Sequence, residues 1–366
     1  MLKRFLIIGS LLLITNSAFP QFHTLKIPQR SNQVIESQRL AVTDITINYS
    51  SPSVNNRDVW NDTNVIPQSG NPIPWRAGAN MNTTIAFNTN VKIEGKTLEA
   101  GTYGLHVIPK GDTYTLLFAH NSNQWGSYYL DIEKDVSLSI DVKAEPCAFS
   151  EKMDFEFLDW TKNSVKIGLE WAEKRIPFNV SIDLNETVLA SFRDELRGIN
   201  TYHWQAWDDA ANWCLNQNTN LEEALEWANR SINGGYNGFA SNENFTNTST
   251  KLKLLKKLNR TEEANKTVQR LALLDYKDYE AYDLSRYFLE NESFVEAKAI
   301  ATAANKKHPK VWFLLLNESI ADYFLGNSQQ AIKSINKFKS LVPEGYQSRI
   351  EEIIGEMKAK TYGLPK

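Results

Sequence analysis

Along the 366-residue chain the hydrophobic period changes once. From about residue 22 to 182, β-branched and aromatic residues alternate with polar ones in short runs bounded by Gly, Pro and Asn, as in strands with one buried face. The run "RLAVTDITINYSSPS" places Val42, Ile45, Ile47 and Tyr49 among polar neighbours and stops at Pro52. Comparable runs follow in "TTIAFNTNVKIEG", "GTYGLHVIPKGDTYTLLFAH", "VSLSIDVKAEP", "MDFEFLDWT" and "SVKIGLEWAEKRIPFNVSIDL". Short strands with no long helical pattern between them predict an antiparallel β-sandwich or partly open barrel over residues 22–184. In the hairpin from Gly101 to His120 the turn "PKGD" pairs Ile108 with Thr115. That register puts Tyr103, Leu105 and Val107 on the face of Leu116, Phe118 and His120, with His106 on the other.

From about Asn185 the period is helical, and "NETVLASFRDELRG" reads as a helix capped by Asn185 and stopped at Gly198. Ala224, Ala264, Ala297 and Ala331 then recur, each early in the second helix of a helix-turn-helix unit. The last two intervals are 33 and 34 residues, and the first is 40 because of the loop "NGGYNGFASNENFTN". A period near 34 resembles the tetratricopeptide repeat, which needs small residues where its helices cross. The third unit carries Ala281, Leu284, Phe288, Ala297, Ala301, Ala304 and Pro309 at matching offsets; the fourth carries Gly326, Ala331, Phe338 and Pro343. Asn212, Leu252, Ser285 and Ser319 stand where the repeat's first-helix glycine is expected, a departure from the pattern. Residues 185–366 are therefore expected to form a tetratricopeptide-like α-solenoid of roughly eight helices, an architecture suited to holding a protein or peptide partner. Trp204, Trp207, Trp213, Trp227 and Trp312 read as helix-packing residues, with room for one or two in a groove.

The first 21 residues alter the picture. Lys3 and Arg4 precede an apolar run from Phe5 to Ile14 and a small, polar stretch to Ala18, which reads as a signal peptide over residues 1–21. The run falls short of the roughly 20 residues that span a bilayer. An exported protein, periplasmic or extracellular, with no membrane span after cleavage, is expected. Lys plus Arg number 40 against 43 Asp plus Glu, and no basic block occurs, so nucleic acid is not an expected partner. Cys147 and Cys214 fall in different halves, and two free thiols are expected rather than a bridge.

Catalytic patterns are sparse. The hairpin register separates His106 from His120, and no paired His at helical spacing or Cys cluster is present, so neither a metal site nor a cofactor is expected. There is no G-x-S-x-G elbow, and "SINGGYNGFAS" lacks the Lys and preceding strand of a phosphate loop. Asp159 and Glu170, each close to a Trp, are the acids a glycan hydrolase would use.

The densest local feature is "PIPWRAGANMNTTIAF", residues 72–87. Two readings stand side by side. In one, Trp75, Arg76 and Asn80 join Trp125 and Tyr128 as a stacking and hydrogen-bonding surface for a sugar or peptide. In the other, Trp75 plugs the core, Gly78 permits the turn, and Arg76 is partly buried and bonded to backbone or an acid. The segments "YSSPSVNNRDVW", "IPWRAGANMNTTIAFNTNVKIEGKTLEAGTYGLHVIP" and "NQWGSYYLD" resemble a Bacteroidetes-type exported family known as domain of unknown function 2911. The shared elements include Trp75, Arg76, Gly78, Asn80, Gly101, Tyr103, Trp125 and Gly126, and the resemblance covers about residues 38–180. It implies a β-domain and brings no activity with it. The stretch "NDTNVIPQSGNP" before the knot departs from the family's more compact entry. A non-catalytic binding or scaffolding protein is expected, its helical groove taking a protein or peptide; a glycan-active or glycan-binding β-domain is the alternative.

Overall fold

The computed structural model describes residues 28–364, and the expected signal peptide lies outside them. Two compact units divide between Ile182 and Asp183. No helix among the described residues is long and apolar enough to cross a membrane.

The first unit holds two antiparallel sheets. One has the order β1 (Asn32–Leu40), β2 (Thr43–Ser51), β3 (Thr83–Phe87), β6 (Gly101–Lys110), β7 (Thr113–Ala119), β8 (Val136–Lys143). The other runs β5 (Lys96–Leu98), β4 (Val91–Ile93), β10 (Ser164–Ser181), β9 (Glu145–Leu158). A short helix, α1 (Ile132–Asp135), precedes β8 and is capped by the Asp131 carboxylate. Alternation along β2 buries Ile45, Ile47 and Tyr49, and their neighbours on β3 and β6 are Ile85, Phe87, Leu105 and Val107. The two sheets meet through Tyr49 on Phe155 and Phe118 on Phe178. The hairpin has the expected register, Ile108 opposite Thr115, and the rings of Tyr103 and His120 lie 5.5 Å apart. One expectation fails: the first run is two strands, not one, and Val42 lies in the turn between them. β1 escaped the pattern because it is an edge strand with only Leu40 buried, so it lacks the alternation of a covered strand.

The second unit is helical: α2 (Leu184–Glu195), α3 (Trp204–Gln217), α4 (Leu221–Asn233), α5 (Phe245–Lys257), α6 (Thr261–Leu271), α7 (Asp278–Glu290), α8 (Phe294–Lys307), α9 (Trp312–Phe324), α10 (Ser328–Phe338) and α11 (Glu344–Ala359). The cap of α2 is Asp183, not Asn185: its carboxylate accepts from the Glu186 N–H at 3.1 Å. Asp183 is the residue with extended φ/ψ just outside the helix, where a side-chain oxygen reaches the third N–H. Ala224, Ala264, Ala297 and Ala331 are each fully buried on α4, α6, α8 and α10, where a missing side chain lets paired helices approach. Ser285 and Ser319, in the glycine positions of the repeat, are buried too, and Ser285 accepts a hydrogen bond from Asn317 at 2.8 Å. Trp227 is core, while Trp213 packs edge-on against Phe192.

Candidate functional site

The knot is an excursion from a β ladder. Trp75 pairs with Val107 through two backbone bonds of 2.8 Å, the chain leaves the ladder at Arg76, and it returns at Thr83, which faces Leu105. The excursion is closed on itself by the Thr83 N–H donating to the Arg76 carbonyl and the Thr83 hydroxyl donating to the Ala77 carbonyl. Gly78 is required by space: a Cβ there would stand 3.0 Å from the Ser50 carbonyl oxygen. Asn80 takes φ of 59°, a left-handed conformation that Asn tolerates.

This geometry separates residues that the ligand-platform reading had joined. Trp75 is a core residue, stacked on Trp171 with centroids 6.0 Å apart and edge-on to Trp60 at 5.9 Å. It offers no surface to a ligand, which corrects that part of the expectation. Arg76 is half-buried and donates to the Asn80 carbonyl at 2.6 Å. Its guanidinium lies beneath Gly126, where a Cβ would come within 3.1 Å of the Arg76 Cζ. Gly126 also has φ of 67°, so the Trp-Gly element needs its glycine twice over. Tyr128 is exposed, and Gly101 and Tyr103 belong to the core strand β6, the Tyr103 hydroxyl donating to the Glu99 carbonyl.

Asn80 and Trp125 do meet, across a cleft of about 760 Å³ on the outward face of β1, β2 and β3. Its floor is Gln33, Asn48 and Thr84. Its walls are Ser31 and Asn32 on one side, the Asn80–Asn82 segment, and the loop carrying Ser122, Asn123 and Trp125. Among the described residues, no charged side chain lines it. Met81 and Trp125 are paired as an isolated bridge at the rim and are 41% and 54% exposed. The amide floor went unread in the sequence because outward polar residues on a strand look like any solvated face; the recurrence of Asn in "NMN" and "NSNQW" was the available signal.

Behind the Trp125 loop lies a buried polar network. The Asn82 N–H donates to the Gln124 carbonyl, and the Gln124 N–H donates to the Asn82 side-chain oxygen, both at 3.0 Å. His106, fully buried, shares a 2.6 Å hydrogen bond with Ser127 through Nδ1, and its Nε2 has no partner among the described residues. Burial pushes its pKa down to about 4, so the imidazole is neutral near pH 7. Gly104 makes room for this network: a Cβ would stand 2.7 Å from both the Asn121 carbonyl and the Asn82 amide nitrogen.

The acids suggested for hydrolysis are engaged elsewhere. Asp159 is exposed and ion-paired with Lys166, whose hydrogen bond holds its carboxyl below the usual range. Glu170 is buried and paired with Arg175 at 2.6 Å. A different pair, Glu36 and Asp154, shares the Tyr49 hydroxyl between the sheets. Burial, with Asp154 beside it, holds Glu36 above the usual carboxylate range. Strand alternation places Glu36 on the face of β1 opposite Gln33, away from the cleft floor.

The elements that build the cleft, the knot and the Trp-Gly loop all lie in one matched segment. Residues 31–180 match DUF2911, a family described as a protein of unknown function. The matched segment spans both sheets but for Ser181, and the whole cleft apart from its outermost wall at Pro28 and Gln29. No curated protein matches the chain. Among solved structures, a tetratricopeptide repeat protein, YrrB, described as having an unusual peptide-binding site, is 16% identical, with a TM-score of 0.30, covering 45% of this chain and 81% of its own. A tetratricopeptide repeat protein from Parabacteroides merdae is also 16% identical, with a TM-score of 0.32 and coverage of 49% and 68%. Outside the DUF2911 unit, the helical unit carries a shallow apolar groove of about 700 Å³. Ala272, Ala299 and Ala303 form its floor, with exposed Leu273 and Val295 beside them and Lys298, Lys306 and Lys307 at its rim.

Proposed function

We propose that this is an exported, non-catalytic binding protein whose two-sheet unit holds an uncharged polar ligand in the cleft beside Trp125. The observation that carries the reading is the lining of that cleft: amides and hydroxyls from three strands and two loops, with no charged side chain among the described residues. A charged ligand entering it would lose hydration without gaining a counter-charge. An uncharged polar one exchanges water for side-chain hydrogen bonds at little net cost. The cleft's volume, about 760 Å³, lies within the range usual for small-ligand sites, about 300–1,000 Å³. Export is supported by the basic and apolar pattern of the first 21 residues.

The test is a thermal-shift screen of the mature protein against matched neutral, anionic and cationic compounds. Neutral polar compounds are expected to raise the melting temperature, and Asn48→Ala is expected to reduce that shift. A shift from charged compounds alone, or from none, would sink the reading.

A second reading concerns the helical unit, where the alanine floor favours the apolar face of an amphipathic helix of a protein partner and Lys306 favours an acidic residue on it, Lys298 and Lys307 being already paired with Asp322 and Asp275. Val295→Asp, which places a like charge against that helix without touching a buried residue, is expected to weaken capture of the partner in site-specific crosslinking. Unchanged crosslinking at positions 295 and 299 would discard this reading.

A further inference from the structure

We infer that the ligand of the cleft is a neutral saccharide, its apolar ring face laid on Trp125 and its hydroxyls met by the amides of the floor. This rests on the reading of the cleft as a site for an uncharged ligand and names the class. Three observations favour a sugar over an uncharged peptide.

The first is that the centre of the floor is a sheet face. Asn48 on β2 and Thr84 on β3 lie on strands paired on both sides, so their backbone groups are engaged, while Gln33 lies on the edge strand β1 and is laddered to Ser50 alone. An extended peptide is recognised chiefly by backbone pairing at a free edge. At Asn48 and Thr84 only side chains are on offer, and a ligand lying over them must present its polar groups to side chains.

Donor and acceptor balance is the second. Gln33 and Asn48 are joined by a 3.0 Å bond from the Gln33 amide nitrogen to the Asn48 oxygen. Each amide brings two donors and an acceptor oxygen, and Thr84 brings a hydroxyl that does both. Sugar hydroxyls, each donor and acceptor at once, match such a surface in either direction. Carboxylate, phosphate or ammonium groups do not.

Third, the backbone that carries the rim aromatic is tied down while its ring stays open to solvent. The Trp125 backbone is bridged to Met81, the next residue rests on the Arg76 guanidinium, and Arg76 in turn holds the Asn80 carbonyl of the opposite wall. A planar apolar surface that is 54% exposed beside hydrogen-bonding amides presents one apolar and one polar wall, as a pyranose ring does. Because the backbone that carries the ring is held before the ligand arrives, little backbone freedom is lost on binding. The motif residues Arg76 and Gly126 are thereby positioning residues for the platform.

The experiment is titration calorimetry of the mature protein with neutral tetrasaccharides of glucose, xylose, mannose and N-acetylglucosamine, and in parallel with an uncharged Ser-Asn-Gln-Gly peptide. At least one tetrasaccharide is expected to bind. Trp125→Ala is expected to lower its affinity about tenfold or more, while Trp125→Tyr, which keeps a flat ring, retains most of it. Because Trp125 is more than half exposed, the alanine variant is expected to melt like the wild type, which separates lost stacking from lost folding. Binding of the peptide alone would overturn the saccharide assignment while leaving the uncharged-ligand reading intact. Saccharide binding that is indifferent to Trp125→Ala would overturn the stacking role. Silence from both probes, with silence in the thermal-shift screen, would overturn both.

Discussion

The two units gather their surfaces over different distances along the chain. The cleft of the two-sheet unit draws on residues from Ser31 to Trp125, through three strands and two loops. The groove of the helical unit draws on a narrower span, Ala272 to Leu325, from α8 and the ends of α6 and α9. Its helices are stapled by small residues at a regular interval, and each packs on its neighbours in sequence. The two-sheet unit is instead tied by contacts such as Trp75 on Trp171 and the Trp60 indole donating to the Trp171 carbonyl at 2.9 Å. A repeat array is thus specified by local rules repeated, and a sheet unit by a few long-range contacts that have no local substitute.

The contrast is broken most severely at Trp75. Trp75→Ala removes a buried ring from a stacked pair and is expected to cost about 3–5 kcal/mol. Hydrogen exchange should record the loss in β6 and β10, with α7 to α10 keeping their rates. Loss of protection in α7 to α10 as well would refute the picture of separately built cores.

Acid and base should act on the two units in opposite senses. His106 is neutral in the folded state, its pKa lowered from 6.5 to about 4, so the unfolded chain binds the proton first and stability falls as pH drops from 6.5 towards 4. Asp208, buried on α3 with one carboxylate oxygen lacking a partner among the described residues, is raised by burial from 3.8 to about 6. There the folded state binds the proton first, so stability falls as pH rises from 3.8 to 6 and stays low above it. Each shift is worth about 3 kcal/mol at most. Exchange rates of the two units followed from pH 4 to 7 should diverge accordingly, and Asp208→Asn should flatten the helical curve alone. Parallel curves would show that these two groups do not govern the pH response.

A smaller effect is expected at the helix crossings. Ala297→Leu adds three heavy atoms to a closed helix pair and should cost about 1–3 kcal/mol by chemical denaturation. An unchanged midpoint would mean that α8 does not approach its neighbours as closely as full burial of Ala297 implies. The smallest is at the start of α2, where Asp183→Ala should cost about 1 kcal/mol and Asn185→Ala almost nothing. The reverse order would restore Asn185 as the cap.

Much of the helical unit was legible because its signals are local. The alanines at intervals of 33 and 34, the buried Ala281, Leu284 and Phe288, and the prolines after α8 and α10 can be read within a window of one repeat. The hairpin of β6 and β7 was legible for the same reason, since a turn sets its register. The cap of α2 was misplaced by two residues because Asp183 and Asn185 are both good caps, and backbone geometry alone distinguishes them. In the two-sheet unit, composition singled out Trp75, Arg76, Asn80, Trp125 and Gly126 but not their roles. Whether a Trp beside an Arg lies on a surface or in a core depends on what faces it, and Trp171 does so from far along the chain. Gln33, Asn48 and Thr84 became neighbours only when β1, β2 and β3 were laid side by side.

The sequence by itself determined where strands give way to helices, the spacing of the helical repeat, and which residues crowd the knot, because periodicity and turn chemistry act over a few residues. Tertiary structure alone decided that Trp75 is buried, that Arg76 lies beneath Gly126, and that amides from separate strands share one cleft with Trp125. Those outcomes depend on strand order and register, and the energy that selects them comes from contacts between residues that the chain holds far apart.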